Sequence, residues 1–334
     1  MLNAVTLAAL GLLAFAAPQA APATPAAPAT GTYAGWPDEI PASLDWRIEP
    51  ADAGATAGLV QVEIGYHSPG HSSMWGESLA LSTLDGLSPG QLSAPGQPVS
   101  FVMRRDAGEF RCHGVAGEGR GVGTCVYAAN PGFPAALARR GVTGELAPIQ
   151  QFRLAMSDIG LAYLDELKRE AYATPTADDL VKAGTHGAGL RQLRAMDAAG
   201  YRFGDLATFV QLRDHGVSAR YVEALRAQGY TGLSAADLQR LRDHGVSETY
   251  IAELKAGGYS GLKPDDLARL RDHGVSVGFI SGLHAAGYAA LAPDDLMRLR
   301  DHGISVGFIQ VANAGGKRLS PDDLIRLRDR GGRE

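Results

Sequence analysis

Apolar positions along this chain follow two different periods. From Leu44 to about Phe133 they alternate. In LVQVEIGYH, Val60, Val62, Ile64 and Tyr66 share one face, the two-residue period of a half-buried strand. PVSFVMRRDAGEFRCHG and GTCVYAA are further short apolar runs divided by glycine-rich turns. The stretch predicts a compact antiparallel sheet or small barrel of about five or six strands.

From about residue 146 the period becomes helical and the sequence repeats itself. LRDHGVS stands at Leu212–Ser218, Leu241–Ser247 and Leu270–Ser276, and returns at Leu299–Ser305 with Ile304 for Val. A frayed copy, LRDRGG, closes the series at Leu327–Gly332. Gly216, Gly245, Gly274 and Gly303 recur every 29 residues, and the same step backwards reaches Gly187 in a degenerate copy. A still more diverged unit carries Leu164, Leu167 and Tyr172. A fixed period of this length is the mark of a stacked solenoid, whose units each bury a face against the next.

Each unit predicts two short helices. Ser234 is a good N-cap, and Asp237 three residues on completes a capping-box-like pair. Pro264, Pro293 and Pro321 take the first helical position in other copies, followed by acids such as Asp265 and Asp266. Proline fits there, and the acids answer the positive helix end. Leu238 and Leu241 make the buried stripe, Gly245 a left-handed C-cap, and Ser247 the next N-cap. Tyr250, Ile251 and Leu254 form the buried face of the second helix, which stops at Gly258-Tyr259. The expectation is therefore an α+β chain: a β-rich domain over residues 43–145, then about six αα-hairpin repeats over 146–334.

The RDH of the repeated phrase builds three columns. They are Arg213, Arg242, Arg271 and Arg300; Asp214, Asp243, Asp272 and Asp301; and His215, His244, His273 and His302. The structural reading is a ladder along the repeat surface, with Arg and Asp of successive units pairing and His favouring the negative helix end. A metal or acid–base centre is the sharper alternative, but a solenoid spreads equivalent residues along a line whereas catalysis needs one converged set. Gln239, Ala268 and Met297 vary between copies and read as exposed positions on a constant frame.

The chain opens with an uncharged apolar stretch, Val5 to Ala17, and a small-x-small site at Ala14-Phe15-Ala16. This predicts a signal peptide over residues 1–16, cleaved or retained as an anchor, and hence a periplasmic or secreted location. The apolar run is shorter than the roughly 20 residues a membrane span needs, so no span is expected once the signal is removed. Residues 17–42 are rich in Pro and Ala and read as a linker.

Export gives the only two cysteines a meaning. A hairpin turning at Glu118-Gly119 sets Cys112 opposite Cys125, which places them for a cross-strand disulfide in an oxidising compartment. Two free thiols are the alternative, should a glycine bulge shift the register. His67 and His71, in YHSPGHSSMW, have a spacing that suits a metal only where a helix or tight loop converges both rings. Pro69-Gly70 argues for a turn and surface histidines.

With 334 residues, a formal charge of -5 and 43 glycines, the chain is long enough for two domains and too acidic to seek nucleic acid. The repeat matches helix-turn-helix spacing formally, but its second helix starts with Glu248-Thr249, Val277-Gly278 or Val306-Gly307. None of these reaches base edges as Arg, Lys, Asn or Gln would. No nucleophile elbow, HExxH, P-loop or Rossmann fingerprint is present, and GEGRGVG lies inside a hairpin, not before a helix. A non-enzymatic binding, scaffold or sensing module is expected, with no cofactor and with a protein, peptide or envelope polymer as partner. The alternative is an envelope hydrolase or metal-binding protein using the β-domain and its His67/His71 loop.

The β-region VSFVMRRDAGEFRCHGVAGEGRGVGTCVYAANPGF followed by DDLxRLRDHGVSxxYIxxLxAxGY units resembles a group of exported bacterial proteins. It is similar also to the extracytoplasmic extensions of antibiotic-sensing membrane metallopeptidases of the beta-lactam receptor type. The resemblance spans roughly Leu44 to Arg330. It implies a sensing or interaction module in the envelope. The multi-span membrane part and the HExxH of those sensors are missing here, so peptidase activity does not carry over.

Overall fold

The protein is described by a computed structural model covering residues 36–37, 39–50, 58–68 and 71–331. The expected signal peptide, most of the linker, the Pro69-Gly70 turn and Gly332 lie outside the described residues.

The alternating segments form seven strands, β1 (Leu44–Pro50), β2 (Leu59–Ser68), β3 (His71–Ala80), β4 (Leu84–Asp85), β5 (Gln97–Arg105), β6 (Gly108–Gly117) and β7 (Arg120–Ala129). They join in one antiparallel sheet in the order β3-β2-β1-β7-β6-β5-β4, curled into a half-barrel with β3 and β4 at its edges. The count exceeds the five or six expected because β3 and the two-residue β4 carry little alternation. A short helix, α1 (Pro89–Ser93), bridges β4 and β5. Leu44, Trp46, Ile48, Val62, Ile64, Phe101 and Phe110 fill the concave face.

The hairpin of β6 and β7 turns where expected. Glu118 and Gly119 both have positive φ, 55° and 81°, the requirement of a tight hairpin turn. Cys112 then pairs with Cys125 and the two are joined as a disulfide. The surrounding glycines serve more than turning. A Cβ on Gly121 or Gly123 would lie 2.8 or 2.7 Å from the Trp46 indole, which rests on this hairpin and donates Nε1–H to the His113 carbonyl at 3.1 Å.

Helices follow: α2 (Phe133–Arg139), α3 (Pro148–Met156), α4 (Leu161–Arg169), α5 (Ala177–Thr185), α6 (Leu190–Ala198), α7 (Leu206–Asp214), α8 (Ala219–Ala227), α9 (Ala235–Asp243), α10 (Glu248–Ala256), α11 (Pro264–Asp272), α12 (Val277–Ala285), α13 (Pro293–Asp301), α14 (Val306–Ala312) and α15 (Pro321–Gly331). First helices stack in one row (α3, α5, α7, α9, α11, α13, α15) and second helices in another (α4 through α14). Six αα pairs and a final single helix result, as the 29-residue period requires.

The corners explain the repeated phrase. Gly245, with φ 66°, donates its N–H to the Arg242 carbonyl, and Val246 donates to Leu241 at 2.8 Å. This is a Schellman ending, in which only glycine takes the left-handed turn easily and the next residue packs back on the helix. Val246 is accordingly buried. Gly258 and Tyr259 repeat the pattern on Lys255 and Leu254. Ser218, Ser247, Ser276 and Ser305 each accept the N–H of the third residue on, capping α8, α10, α12 and α14. One expectation is corrected. Ala268 and Met297 are buried, at 0% and 3% exposure. Their variation reflects repacking between stacked helices, not an adaptable surface.

One hydrophobic cluster runs from the sheet into the repeats. At the junction, Gln151 Nε2 donates to the carbonyls of Ala107 (2.7 Å) and Asn130 (2.8 Å). Asp106, from the β5–β6 turn, takes the N–H of Leu161 at 2.6 Å and so caps α4 from another element.

Candidate binding cleft and the repeat ladder

The RDH columns form a ladder, but not the one expected. Each histidine reaches the aspartate of the next unit: Nδ1 to Oδ1 is 2.6 Å for His186–Asp214 and His215–Asp243, 2.7 Å for His244–Asp272, 2.6 Å for His273–Asp301 and 3.0 Å for His302–Asp329. The arginine column does not meet those aspartates. Arg242, Arg271 and Arg300 lie over Tyr221, Tyr250 and Phe279 of the preceding unit, 4.8, 5.2 and 5.1 Å from the ring centres. Carboxylate pairing falls to other arginines, with Arg240–Asp265 at 2.6 Å and Arg269–Asp294 at 3.0 Å. The cause is geometric. Arg and Asp are adjacent on one helix and point apart, so the outer row closes His to Asp while Arg turns inward onto an aromatic face.

The aromatic column has a second role. The hydroxyls of Tyr163, Tyr221 and Tyr250 donate to the carbonyls of Ala188, Val246 and Val275 at 2.7–2.8 Å, each in the following corner. Burial pushes the Tyr250 hydroxyl up to about 12 and the Tyr221 hydroxyl higher still. At Tyr221 and Tyr250 a unit is thus bound to the next by a half-exposed His–Asp pair, a guanidinium on a ring and a buried hydroxyl. Individually these contribute on the order of 0.2–1.5 kcal/mol. The chemistry that looked catalytic is used in joints.

Near the first units, Glu166 and Glu170 are buried acids. Arg169 contacts both, Arg194 meets Glu166 at 3.2 Å, and Arg202 bridges Glu170 to Asp197. The Arg169 hydrogen bond holds Glu166 below the ordinary carboxylate range. Nothing in the repeat pattern pointed to this network, since these units have diverged from the phrase.

A cleft of about 450 Å³ opens where β3 faces the first repeats. Trp75, Leu79, Met103, Met156 and Leu190 give it apolar walls, and Glu77, Asp158, Arg191 and Arg194 its charges. Arg105, only 9% exposed, contacts Glu77 and lies 3.2 Å from Asp158. Partial burial outweighs that guanidinium and raises both carboxyls above their ordinary values. Trp75 is packed between Trp36 (ring centres 4.5 Å) and Tyr66 (6.0 Å). Sequence reading missed this cleft, because its residues come from five separate segments and share no spacing.

His67 and His71 occupy neighbouring rungs of the β2–β3 ladder, opposite Ser72 and Ser68. Among the described residues no group of three His, Cys, Asp or Glu side chains converges to hold a metal. None of the described helices is long and apolar enough to cross a membrane. Comparison with known protein families, curated proteins and solved structures gives no match.

Proposed function

We propose that this protein is an exported, non-enzymatic binding module of the cell envelope that takes its partner where the sheet meets the first repeats. The observation that carries the reading is how the repeats use their polar groups. From Arg242 of α9 onward, the His, Asp, Arg and aromatic columns are engaged in joints between units. The cleft, by contrast, combines apolar walls, aromatic rings and charged groups in one concavity, the usual make-up of a recognition site. The uncharged apolar start of the chain and the disulfide between Cys112 and Cys125 support export. The likeness to envelope sensor extensions supports a sensing role.

A photo-crosslinking residue placed at Gln192, in the cleft, tests the reading in intact cells. Adducts at Gln192 and none at Ala227, an exposed position at the end of α8, are expected. The reverse pattern contradicts it. Export is checked by N-terminal sequencing of protein from the periplasmic fraction, where a start at about Ala17 is expected. A second reading, an envelope hydrolase, is favoured by the raised carboxyls of Glu77 and Asp158. It requires Glu77→Gln to abolish turnover of a peptide or glycan substrate.

A further inference from the structure

Between α3 and α14, nearly every arginine of the described residues has a carboxylate, a carbonyl of another element or an aromatic ring as partner. Three differ. Arg220 has none, Arg191 has only the charge of Glu77 across the adjoining cleft and no hydrogen-bonded carboxylate, and Arg213 reaches only the Val217 carbonyl of its own corner, at 3.3 Å. All three line one concavity of about 360 Å³, together with Gln192 and the start of α8. The opening has a cause in the sequence. Gln192 stands one period before Tyr221, so Arg213 has no ring to lie over, unlike Arg242, Arg271 and Arg300. No carboxylate lines this concavity, and the positive end of α8 adds to the same field.

Arg191 and Gln192 also line the larger cleft, so the two concavities adjoin. That cleft is lined by every residue from Met74 to Leu79. Successive residues of a strand point to opposite faces, so a cleft touching all six runs along the edge of β3. β3 is the terminal strand of the sheet and pairs only with β2. An open strand edge is a template for a further strand, bound by backbone hydrogen bonds.

We propose that the joined concavities bind an extended peptide bearing a carboxylate. The peptide adds as an extra strand on β3 and its carboxylate seats among Arg191, Arg213 and Arg220. The open edge selects polypeptide, and three guanidinium forks without a hydrogen-bonded carboxylate select an oxyanion. The apolar walls of Trp75, Met103 and Met156 receive a side chain between the two. The proposal rests on the binding reading above and names its ligand class.

The test uses the full mature chain and a displayed library of random ten-residue peptides with free C-termini. Selected binders are resynthesised and followed by fluorescence anisotropy. Carboxylate-bearing binders are expected, weakened about tenfold or more by Arg213→Gln with Arg220→Gln. Amidation of the carboxylate has the same effect. N-methylation of alternate peptide nitrogens abolishes binding in one register and spares it in the other, since only every second N–H meets the edge. Failure to select binders overturns the proposal. Binding indifferent to the arginine changes or to N-methylation does so too, as does inorganic phosphate occupying the arginines while no peptide binds. If Gln192 cross-links a partner in cells while the library yields nothing, the binding reading stands and the peptide class falls.

Discussion

Removing one oxygen atom tests how the repeats are joined. Tyr250 is 5% exposed, and its hydroxyl donates to the Val275 carbonyl at 2.8 Å, across the joint between two units. Tyr250→Phe keeps the ring, its burial and the Arg271 guanidinium 5.2 Å above it. Only the hydrogen bond is lost, and its acceptor sits in the corner before α12. A net hydrogen bond contributes about 0.5–1.5 kcal/mol, and an acceptor left buried and unpaired costs about 1–3 kcal/mol. A loss of about 1–2 kcal/mol is expected in urea unfolding, with an unchanged m-value. The chain carries its own reciprocal control. Phe279 occupies the equivalent position one unit later, facing the Ile304 corner without a hydroxyl. Phe279→Tyr should recover about 0.5–1.5 kcal/mol. A Tyr250→Phe variant as stable as the parent, with Phe279→Tyr no better, would refute the view that hydroxyls join the units.

Further outcomes follow from the same joints and from the sheet. Leu241→Ala, at a position with no exposure, should cost about 2–5 kcal/mol, whereas His244→Ala, at the half-exposed ladder, should cost under about 1 kcal/mol; equal losses in thermal unfolding would contradict the division into core and ladder. Reducing the Cys112–Cys125 disulfide, which closes a short hairpin loop, should lower stability by about 2–3 kcal/mol, and a denaturation midpoint indifferent to reductant would oppose that. Gly123→Ala should cost about 1–3 kcal/mol or more by overpacking against the β6 backbone at His113 and Gly114 and against Trp46, read as a red-shifted tryptophan emission at lower urea. On the alkaline side, Tyr250 and Tyr127 are both pushed up to about 12 by burial. The folded state then holds protons that the unfolded chain releases near 10, so their contribution is complete below pH 10 and is lost as pH climbs towards 12. Spectrophotometric titration should show these phenols ionising together with unfolding; ionisation in the native protein near pH 10 would contradict their burial.

Most of the architecture was legible because its signals are local. The glycine corners, the serine caps and the first-turn prolines and acids act within four residues, and each appears in the structure where the phrase placed it. The Cys112–Cys125 register was equally local, fixed by one turn. What escaped depends on neighbours distant in the chain. The partner of Asp243 was settled by helix orientation, which brings His215 to it and turns Arg242 onto Tyr221. Ala268 and Met297 vary between copies yet are buried, because adjacent first helices repack around them. The strand count fell short of seven because HSSMWGESLA mixes polar and apolar residues, as befits an edge strand. The cleft was invisible because β2, β3, β5, the end of α3 and the α5–α6 segment meet only after folding.

The central claim is that each 29-residue unit stacks on the next through equivalent joints. Ala227, Ala256 and Ala285 end α8, α10 and α12, are exposed, and occupy the same position in successive units. Spin labels at Ala227 and Ala285, read by double electron–electron resonance, measure two joints at once. With helices packed about 8–10 Å apart, a narrow distribution centred near 16–20 Å between label sites is expected, widened only by the label arms. A broad distribution, or one centred beyond about 30 Å, roughly three such spacings, would show that consecutive units do not stack and would contradict the account.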